Sequence, residues 1–128
     1  KKIMETDLLP VSPEANLGDL CELVKLSRRN IFPVVNDKGD LTGIVTLDDI
    51  RELMFDAESQ KTLKVKQLMH SPPEVINSNE NMQNVMDKFE KSGAWNLPVI
   101  ESGKYLGFIS KARIFHAYRK KLIRQNQE

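Results

Sequence analysis

The sequence has few of the residues that metal binding, disulfide formation and covalent catalysis require. Among 128 residues it has one cysteine, Cys21, and two histidines, His70 and His116. A single cysteine cannot form an internal disulfide, and it fits a reducing compartment. No zinc-ligand spacing occurs, and the adjacent carboxylates Asp48 and Asp49 would point in directions about 100° apart on a helix rather than converge on a substrate. We therefore expect no metal site and no catalytic residues, and we interpret the protein as not being an enzyme.

The sequence also lacks a long apolar run and an excess of either charge. No apolar stretch approaches the roughly 20 residues that a membrane-spanning helix needs. Nineteen basic residues stand against 18 acidic ones, and this balance disfavours a general nucleic-acid-binding protein. The N-terminus has neither a signal segment nor an initiator Met,. We therefore expect no nucleic-acid partner, and we interpret the chain as a piece of a longer protein.

An internal repeat is the clearest feature that the sequence does have. A shift of 65 residues superimposes residues 32–35 (Phe-Pro-Val-Val) on residues 97–100 (Leu-Pro-Val-Ile), and after one deletion a shift of 64 places Gly43 on Gly107. The other matched pairs are Met4 and Met69, Val11 and Ile76, Asn16 and Asn81, Ser27 and Ser92, Gly39 and Gly103, Thr46 and Ser110, and Ile50 and Ile114. Because the matched residues have backbone or core roles, we infer a repeat of structure.

Each half begins with the signals of an amphipathic helix. Asn16 and Asn81 are favoured N-caps, and Gly93 is a natural C-terminal stop for the second helix. An apolar stripe at helical spacing follows each cap. The stripes are Leu17, Leu20, Cys21 and Val24 in the first half, and Met82, Val85, Met86 and Phe89 in the second. We interpret both stripes as core, and Cys21 as a buried, inert thiol.

A hairpin and a second helix follow in each half. Polar links that contain glycine predict the hairpin turns. Gly43 and Gly107 interrupt the returning strands and leave room for a neighbouring backbone or a ligand. The predicted turns are 36–40 and 101–104, the second helices are 47–55 and 111–124, and the polar segment 56–64 is interpreted as a linker.

This order of elements, with Pro-Val before the hairpin and Gly-Ile-Val-Thr-Leu-Asp-Asp-Ile at residues 43–50 after it, resembles the CBS repeat. Two such repeats resemble a CBS pair, or Bateman module. The resemblance implies an α/β (α+β) fold of two intertwined repeats, each a small β-sheet packed by two helices, related by a pseudo-twofold axis. We assign residues 1–55 to repeat 1, 56–64 to a linker, 65–115 to repeat 2 and 116–128 to a basic C-terminal helix or tail.

Several members of the CBS family bind adenine nucleotides in clefts between the repeats, and the resemblance implies such a site at Thr46 and Asp49. A hydroxyl at a helix start lies where phosphate is favoured, and a carboxylate three residues later accepts hydrogen bonds from ribose hydroxyls. AMP, ADP or ATP would be a regulatory ligand rather than a required cofactor. The resemblance places the adenine against Pro10 and Val11, with Phe32 and Pro33 nearby. Alternatively, Thr46 and Asp49 are an ordinary N-cap and first-turn acid.

The second half departs from this pattern. Ser110 keeps the hydroxyl, but Arg113 occupies the position that matches Asp49. A guanidinium only donates hydrogen bonds, so it cannot accept them from a ribose, although it can bind a phosphate or a carboxylate. A ribose site at Ser110 and Arg113 is therefore doubtful, and we expect one occupied site or none.

Residues 94–99 and 106–119 resemble the C-terminal end of bacterial ClC-type chloride channels and transporters that carry a cytoplasmic CBS pair. This resemblance implies a regulatory module on the cytoplasmic face of the inner membrane and a membrane transport domain upstream of Lys1. The resemblance to a CBS pair implies a homodimer formed through the CBS helices. A CBS pair that regulates another transporter or a metabolic enzyme is one alternative. Trp95 either packs at an interface or stacks on a base.

A second alternative is a structural dimerisation module without a small ligand. Its surface would use Phe55, Met82, Met86, Phe89 and Phe115. The basic tail, with Tyr118 and Leu122 on one face, lies near the membrane or a neighbouring subunit in the transporter interpretation. Otherwise it is a solvated helix end whose cations the helix dipole favours.

Overall fold

The computed structural model describes the backbone of residues 4–5 and 9–127, and the side chains of residues 4 and 9–124. The chain divides into two compact units. We call Asp7–Pro72 with Gly103–Tyr105 the N-terminal unit, and Lys1–Thr6, Pro73–Ser102 and Leu106–Glu128 the C-terminal unit. The elements are β1 Met4–Glu5, α1 Leu17–Leu26, β2 Ile31–Val35, β3 Leu41–Thr46, α2 Leu47–Ile50, α3 Ala57–Thr62, α4 Val65–Leu68, β4 Ile76–Asn77, α5 Met82–Ser92, β5 Asn96–Glu101, β6 Lys104–Ser110 and α6 Lys111–Gln127.

The sheet of the C-terminal unit has the order β1-β6-β5-β4. Met4 pairs with Ile109 in an antiparallel ladder, and Ile76 pairs with Val99 in a parallel one. The sheet of the second repeat therefore takes its edge strand β1 from the start of the chain. This exchange agrees with the intertwined repeats that the sequence predicts.

The N-terminal unit repeats this pattern around the antiparallel hairpin β2-β3. Val11 forms a parallel bridge with Val34 on one edge, and His70 forms an antiparallel bridge with Ile44 on the other. The internal repeat matches Val11 with Ile76 and Val34 with Val99, which are the residues that pair in the C-terminal unit. The repeat inferred from the sequence is thus confirmed as a repeat of strand pairing.

Glycines sit where the chain turns or where backbones approach closely. Gly39 and Gly103 have φ values of 87° and 84° in the two hairpin turns, a region that disfavours side chains with a Cβ. A Cβ on Gly43 would lie 3.0 Å from the carbonyl oxygen of His70. The close backbone approach predicted at Gly43 is therefore confirmed.

Both predicted N-caps are present. The Asn16 side chain accepts from the Asp19 N–H at 2.8 Å, and the Asp19 carboxylate accepts from the Asn16 N–H at 3.1 Å, which completes a capping box. Asn81 accepts from the Asn84 N–H at 2.8 Å. Gly93 ends α5 in the left-handed region, with φ at 70°. These side chains satisfy backbone groups that a helix end leaves unpaired.

One prediction about helix limits is wrong. The helix predicted at 47–55 ends at Ile50, and turns follow to residue 55. The predicted linker 56–64 contains α3, because the Asp56 carboxylate accepts from the Ser59 N–H at 3.2 Å and caps a new helix. Helix α6 spans Lys111–Gln127, which confirms the second helix predicted at 111–124 and continues through residue 116.

The apolar stripes supply the cores, as predicted. Leu17, Leu20 and Cys21 are buried in the N-terminal unit, and burial raises the pKa of the Cys21 thiol, which fits an inert role,. Val85 and Phe89 are buried in the C-terminal unit. The assignment of Phe89 to a dimer surface is therefore wrong, because the ring is needed to fill the core. Phe55, in contrast, is 86% exposed.

Candidate functional site

The C-terminal unit contains a cavity of about 210 Å³. Eight apolar side chains form most of its wall, and the polar residues Asn77, Ser78 and Glu80 also line it. The apolar lining is Met4, Ile76, Met82, Val85, Val99, Leu106, Ile109 and Ile114. A mostly apolar concavity with a few polar groups is the usual form of a small-molecule site.

The sheet and the helices of the C-terminal unit both line this cavity. Met82 and Val85 are three residues apart on α5, so they share one face of the helix,. Ile76 and Val99 pair across β4 and β5, and Ile114 lies in the first turns of α6. The cavity therefore lies between the sheet and two helices that the repeat pattern positions.

A salt bridge neutralises the carboxylate at the cavity wall. Glu80 Oε1 accepts from the Asn77 N–H at 2.8 Å and from Lys88 Nζ at 2.6 Å. Lys88 also donates to the carbonyl oxygen of Val75 at 2.7 Å. Burial alone would raise the pKa of Glu80, but the Lys88 ammonium and the Asn77 N–H outweigh it and lower the pKa. The wall therefore presents a paired carboxylate, which suits an uncharged ring better than a cation.

Ser110 and Arg113 stand at the start of α6, next to this cavity wall. The Ser110 hydroxyl accepts from the Arg113 N–H at 3.1 Å, so Ser110 caps the helix. Ile114, which follows Arg113 directly, lines the cavity. Ser110 and Arg113, whose match to the first-half site is doubtful, thus lie close to this apolar cavity.

Thr46 and Asp49 form a capping box in the N-terminal unit. Asp49 Oδ2 accepts from the Thr46 N–H at 2.8 Å, and the Thr46 hydroxyl accepts from the Asp49 N–H at 3.3 Å. The cap that the sequence analysis offers as an alternative is therefore present. Since α2 has only four residues, this box defines most of the helix.

His70 also contacts Asp49, and the sequence pattern does not predict this contact. His70 Nε2 lies 2.8 Å from Asp49 Oδ2. Burial would raise the pKa of Asp49, but the bonds from Thr46 and the nearby His70 together lower it. The internal repeat places His70 on Glu5, so the matched residue gives no hint of a histidine partner. Its main-chain pairing with Ile44, next to the end of β3, brings it to Asp49.

The residues predicted to surround adenine are mostly in the core. Pro10 is exposed, but Val11 and Pro33 are buried and Phe32 is 0% exposed. Val11 and Pro33 do meet, through a hydrogen bond from the Val11 N–H to the Pro33 carbonyl oxygen at 2.9 Å. The Phe32 ring has no accessible surface, so it could contact a ligand only after rearrangement.

Trp95 lies at the surface of the C-terminal unit and is 73% exposed. The ammonium of Lys111 lies 5.3 Å from the centre of its indole ring and 5.6 Å from that of Phe115. These distances are those of cation–π contacts, which are modest at an exposed site. Trp95 therefore helps to position the first residue of α6.

Comparison with known proteins places this geometry among related folds. The CBS domain of a bacterial CNNM/CorC family Mg²⁺ transporter, solved in complex with ATP, matches with a TM-score of 0.75 and 20% identity over 90% of this chain and 82% of the other. CBSX2 in complex with AMP matches with a TM-score of 0.73 and 23% identity over 93% of this chain and 94% of the other. At these identities, the likeness concerns the fold.

A curated relative, a homoserine O-acetyltransferase of Methanosphaera stadtmanae, is 25% identical over 122 residues, which is 94% of this chain. The chain spans only 24% of that protein's length. Among the described residues, none of the helices combines the length and the apolar content needed to cross a membrane. The family model of the CBS domain matches residues 1–56 and again residues 65–120. The chain therefore belongs to the CBS domain family and carries two copies of the domain.

Proposed function

We propose that this CBS pair is a regulatory module that senses an adenine nucleotide, with the adenine ring in the cavity of the C-terminal unit. The observation that carries the proposal is the apolar cavity with its paired carboxylate. Its volume of about 210 Å³ is below the roughly 300 Å³ at which pockets for whole drug-sized ligands begin. The cavity therefore suits one ring system, while the polar remainder of the ligand stays outside.

The start of α6 supplies the partner for the phosphate. The N-terminus of a 17-residue helix favours an anion,, and the Arg113 guanidinium can donate two parallel hydrogen bonds to phosphate oxygens. Arg113 stands where the first repeat has Asp49, so this repeat favours phosphate binding over ribose binding. ATP and AMP in the related structures support this ligand class.

The site at Thr46 and Asp49 is proposed as the weaker of two nucleotide sites. A ribose there would compete with His70 for Asp49, whose Oδ2 already accepts from the Thr46 N–H. At this weaker site the base would contact the Pro10 side chain and the backbone of Val11, because the side chains of Val11 and Phe32 are buried.

We further propose that the module lies in the cytoplasm and regulates a membrane transport domain. Two of the related structures come from membrane proteins, the Mg²⁺ transporter and a CBS domain-containing membrane protein of Sphaerobacter thermophilus. A ClC-type chloride channel or transporter is the specific version that residues 94–99 and 106–119 favour, with a homodimer formed through the CBS helices. The sequence upstream of Lys1 tests it: a ClC transport domain there supports this version, and any other domain overturns it.

Calorimetric titration with AMP, ADP, ATP and adenosine tests the ligand. Leu106→Trp fills the cavity at a half-buried position, so nucleotide binding should be lost while the thermal transition remains. Arg113→Gln should weaken AMP binding by about tenfold, the magnitude of a lost charge-assisted hydrogen bond, and should leave adenosine binding nearly unchanged. Arg51→Gln, at an exposed arginine that pairs with Asp48 at the end of α2, is the matched control. Absence of heat with every ligand would overturn the proposal and favour the structural dimerisation module.

A further inference from the structure

Helix α6 carries a continuous basic stripe, of which the proposed nucleotide site uses only the first residue, Arg113. Arg113, His116, Lys120 and Arg124 follow one another at intervals of three and four residues, so they share one face of the helix,. All four are exposed. Helix α6 contains six lysine and arginine residues and no aspartate or glutamate. The basic stripe, defined by these four residues, therefore carries three permanent positive charges, on Arg113, Lys120 and Arg124.

The distal part of α6 extends away from its neighbouring helix. Tyr118 is in contact with α5, where its hydroxyl donates to Gln83 Oε1 at 3.3 Å. Every side chain from 119 to 124 is exposed. The stripe therefore presents its last two members, Lys120 and Arg124, to solvent.

Small residues leave space between the cations. A shallow, open surface along one face of α6 is lined by Ala112, Arg113, His116, Ala117 and Lys120. The two alanines leave the helix backbone accessible between the longer side chains. An anionic group can lie against this face, because Arg113 and Lys120 can both donate to it.

One aliphatic side chain stands beside the stripe. Ile123 is 56% exposed, and it follows Lys120 by three residues, which puts both on one side of the helix. Cations with adjoining aliphatic groups match the boundary between lipid headgroups and acyl chains. A nucleic-acid backbone offers the phosphates but no apolar layer for Ile123.

We propose that the basic stripe docks the distal half of α6 on an anionic phospholipid surface, with headgroup phosphates along the stripe and Ile123 in the headgroup layer. The attraction is electrostatic and short-ranged, so it weakens as salt is added. It does not depend on whether the cavity of the C-terminal unit holds a nucleotide.

Co-sedimentation of the full chain with phosphatidylcholine vesicles, with and without about one third phosphatidylglycerol, tests the proposal. Binding is expected only with phosphatidylglycerol. Lys120→Gln with Arg124→Gln should weaken it by about 30-fold, since each basic residue near such a surface contributes about fivefold. Lys61→Gln with Lys91→Gln removes the same charge from exposed sites on α3 and α5 and should change it by less than about twofold. Ile123→Ser should reduce it further.

Two results would overturn the proposal. One is that the chain binds both vesicle types equally, or that the two double variants bind phosphatidylglycerol vesicles equally. In either case the basic stripe would not determine binding. The other is stripe-dependent binding to a short single-stranded DNA without binding to phosphatidylglycerol vesicles, which would assign the stripe to nucleic acid instead. All substituted side chains are exposed, so the variants are expected to fold, and circular dichroism checks this.

Discussion

Asp49 holds two neighbours through one carboxylate oxygen. Its Oδ2 accepts from the Thr46 N–H and lies 2.8 Å from His70 Nε2. The main chain of His70 is in turn bonded to Ile44 in both directions. The Asp49 side chain thereby connects the start of α2 to His70, whose backbone pairs with β3. The capping box followed from residue types at fixed spacing, whereas the His70 contact depends on strand pairing between residues far apart in sequence.

Asp49→Asn should lower the free energy of unfolding by about 1 kcal/mol, because the amide weakens the cap and the contact with His70. The shift in the urea midpoint at constant slope measures it. Asp48→Asn is the control: Asp48 is a neighbour on α2 whose side chain is 78% exposed and pairs with Arg51, and a change below about 0.5 kcal/mol is expected there.

The same variant makes a pH prediction. The pKa of Asp49 is lowered in the folded protein, so the ionised carboxylate stabilises the fold above its unfolded value of about 3.9. That contribution is lost as the pH falls through the lower folded value. The stability difference between wild type and Asp49→Asn should therefore be constant near neutrality and shrink in acid. A difference that grows below about pH 4 would contradict this account.

At the scale of elements, caps determine where helices stop and start. Gly93 ends α5 at a φ of 70°, with its N–H donating to the Phe89 carbonyl oxygen at 3.0 Å. The sequence predicted this end because glycine is the usual residue there. It did not predict the end of α2 at Ile50, because the apolar pattern continues to Phe55 while Asp56 begins α3. The helical spacing of apolar residues does not by itself distinguish one long helix from two short ones.

Gly93→Ala should destabilise the protein by roughly 1 kcal/mol, because a Cβ is disfavoured at positive φ. Nothing lies within 4 Å of the position that a Cβ would occupy, so the loss would reflect backbone conformation rather than a clash. Gly93→Asn is the matched variant and should lose less, since asparagine tolerates this region better than alanine. Thermal unfolding of the three proteins measures the difference, and equal losses for both variants would contradict the assignment.

At the scale of the whole molecule, the fold was predictable because the sequence contains the same pattern of elements twice. Matched residues such as Val11 and Ile76 occupy matched positions in the two sheets. The site was less predictable. The motif directed attention to Thr46 and Asp49 in the first repeat, whereas the described cavity lies in the second. A cavity is the space left between side chains such as Met82 and Leu106, and residue types alone do not determine that space.

Amide chemical shifts during AMP titration test the central claim most directly. The account predicts that saturable shifts concentrate at Asn77, Ser78, Val99, Leu106 and Ile109 around the cavity, and at Ser110 and Arg113 at the start of α6. Shifts at Thr46, Asp49 and His70 should appear only at higher AMP concentration. The reverse order, or saturation without any shift at the cavity residues, would contradict the assignment of the nucleotide to the C-terminal unit.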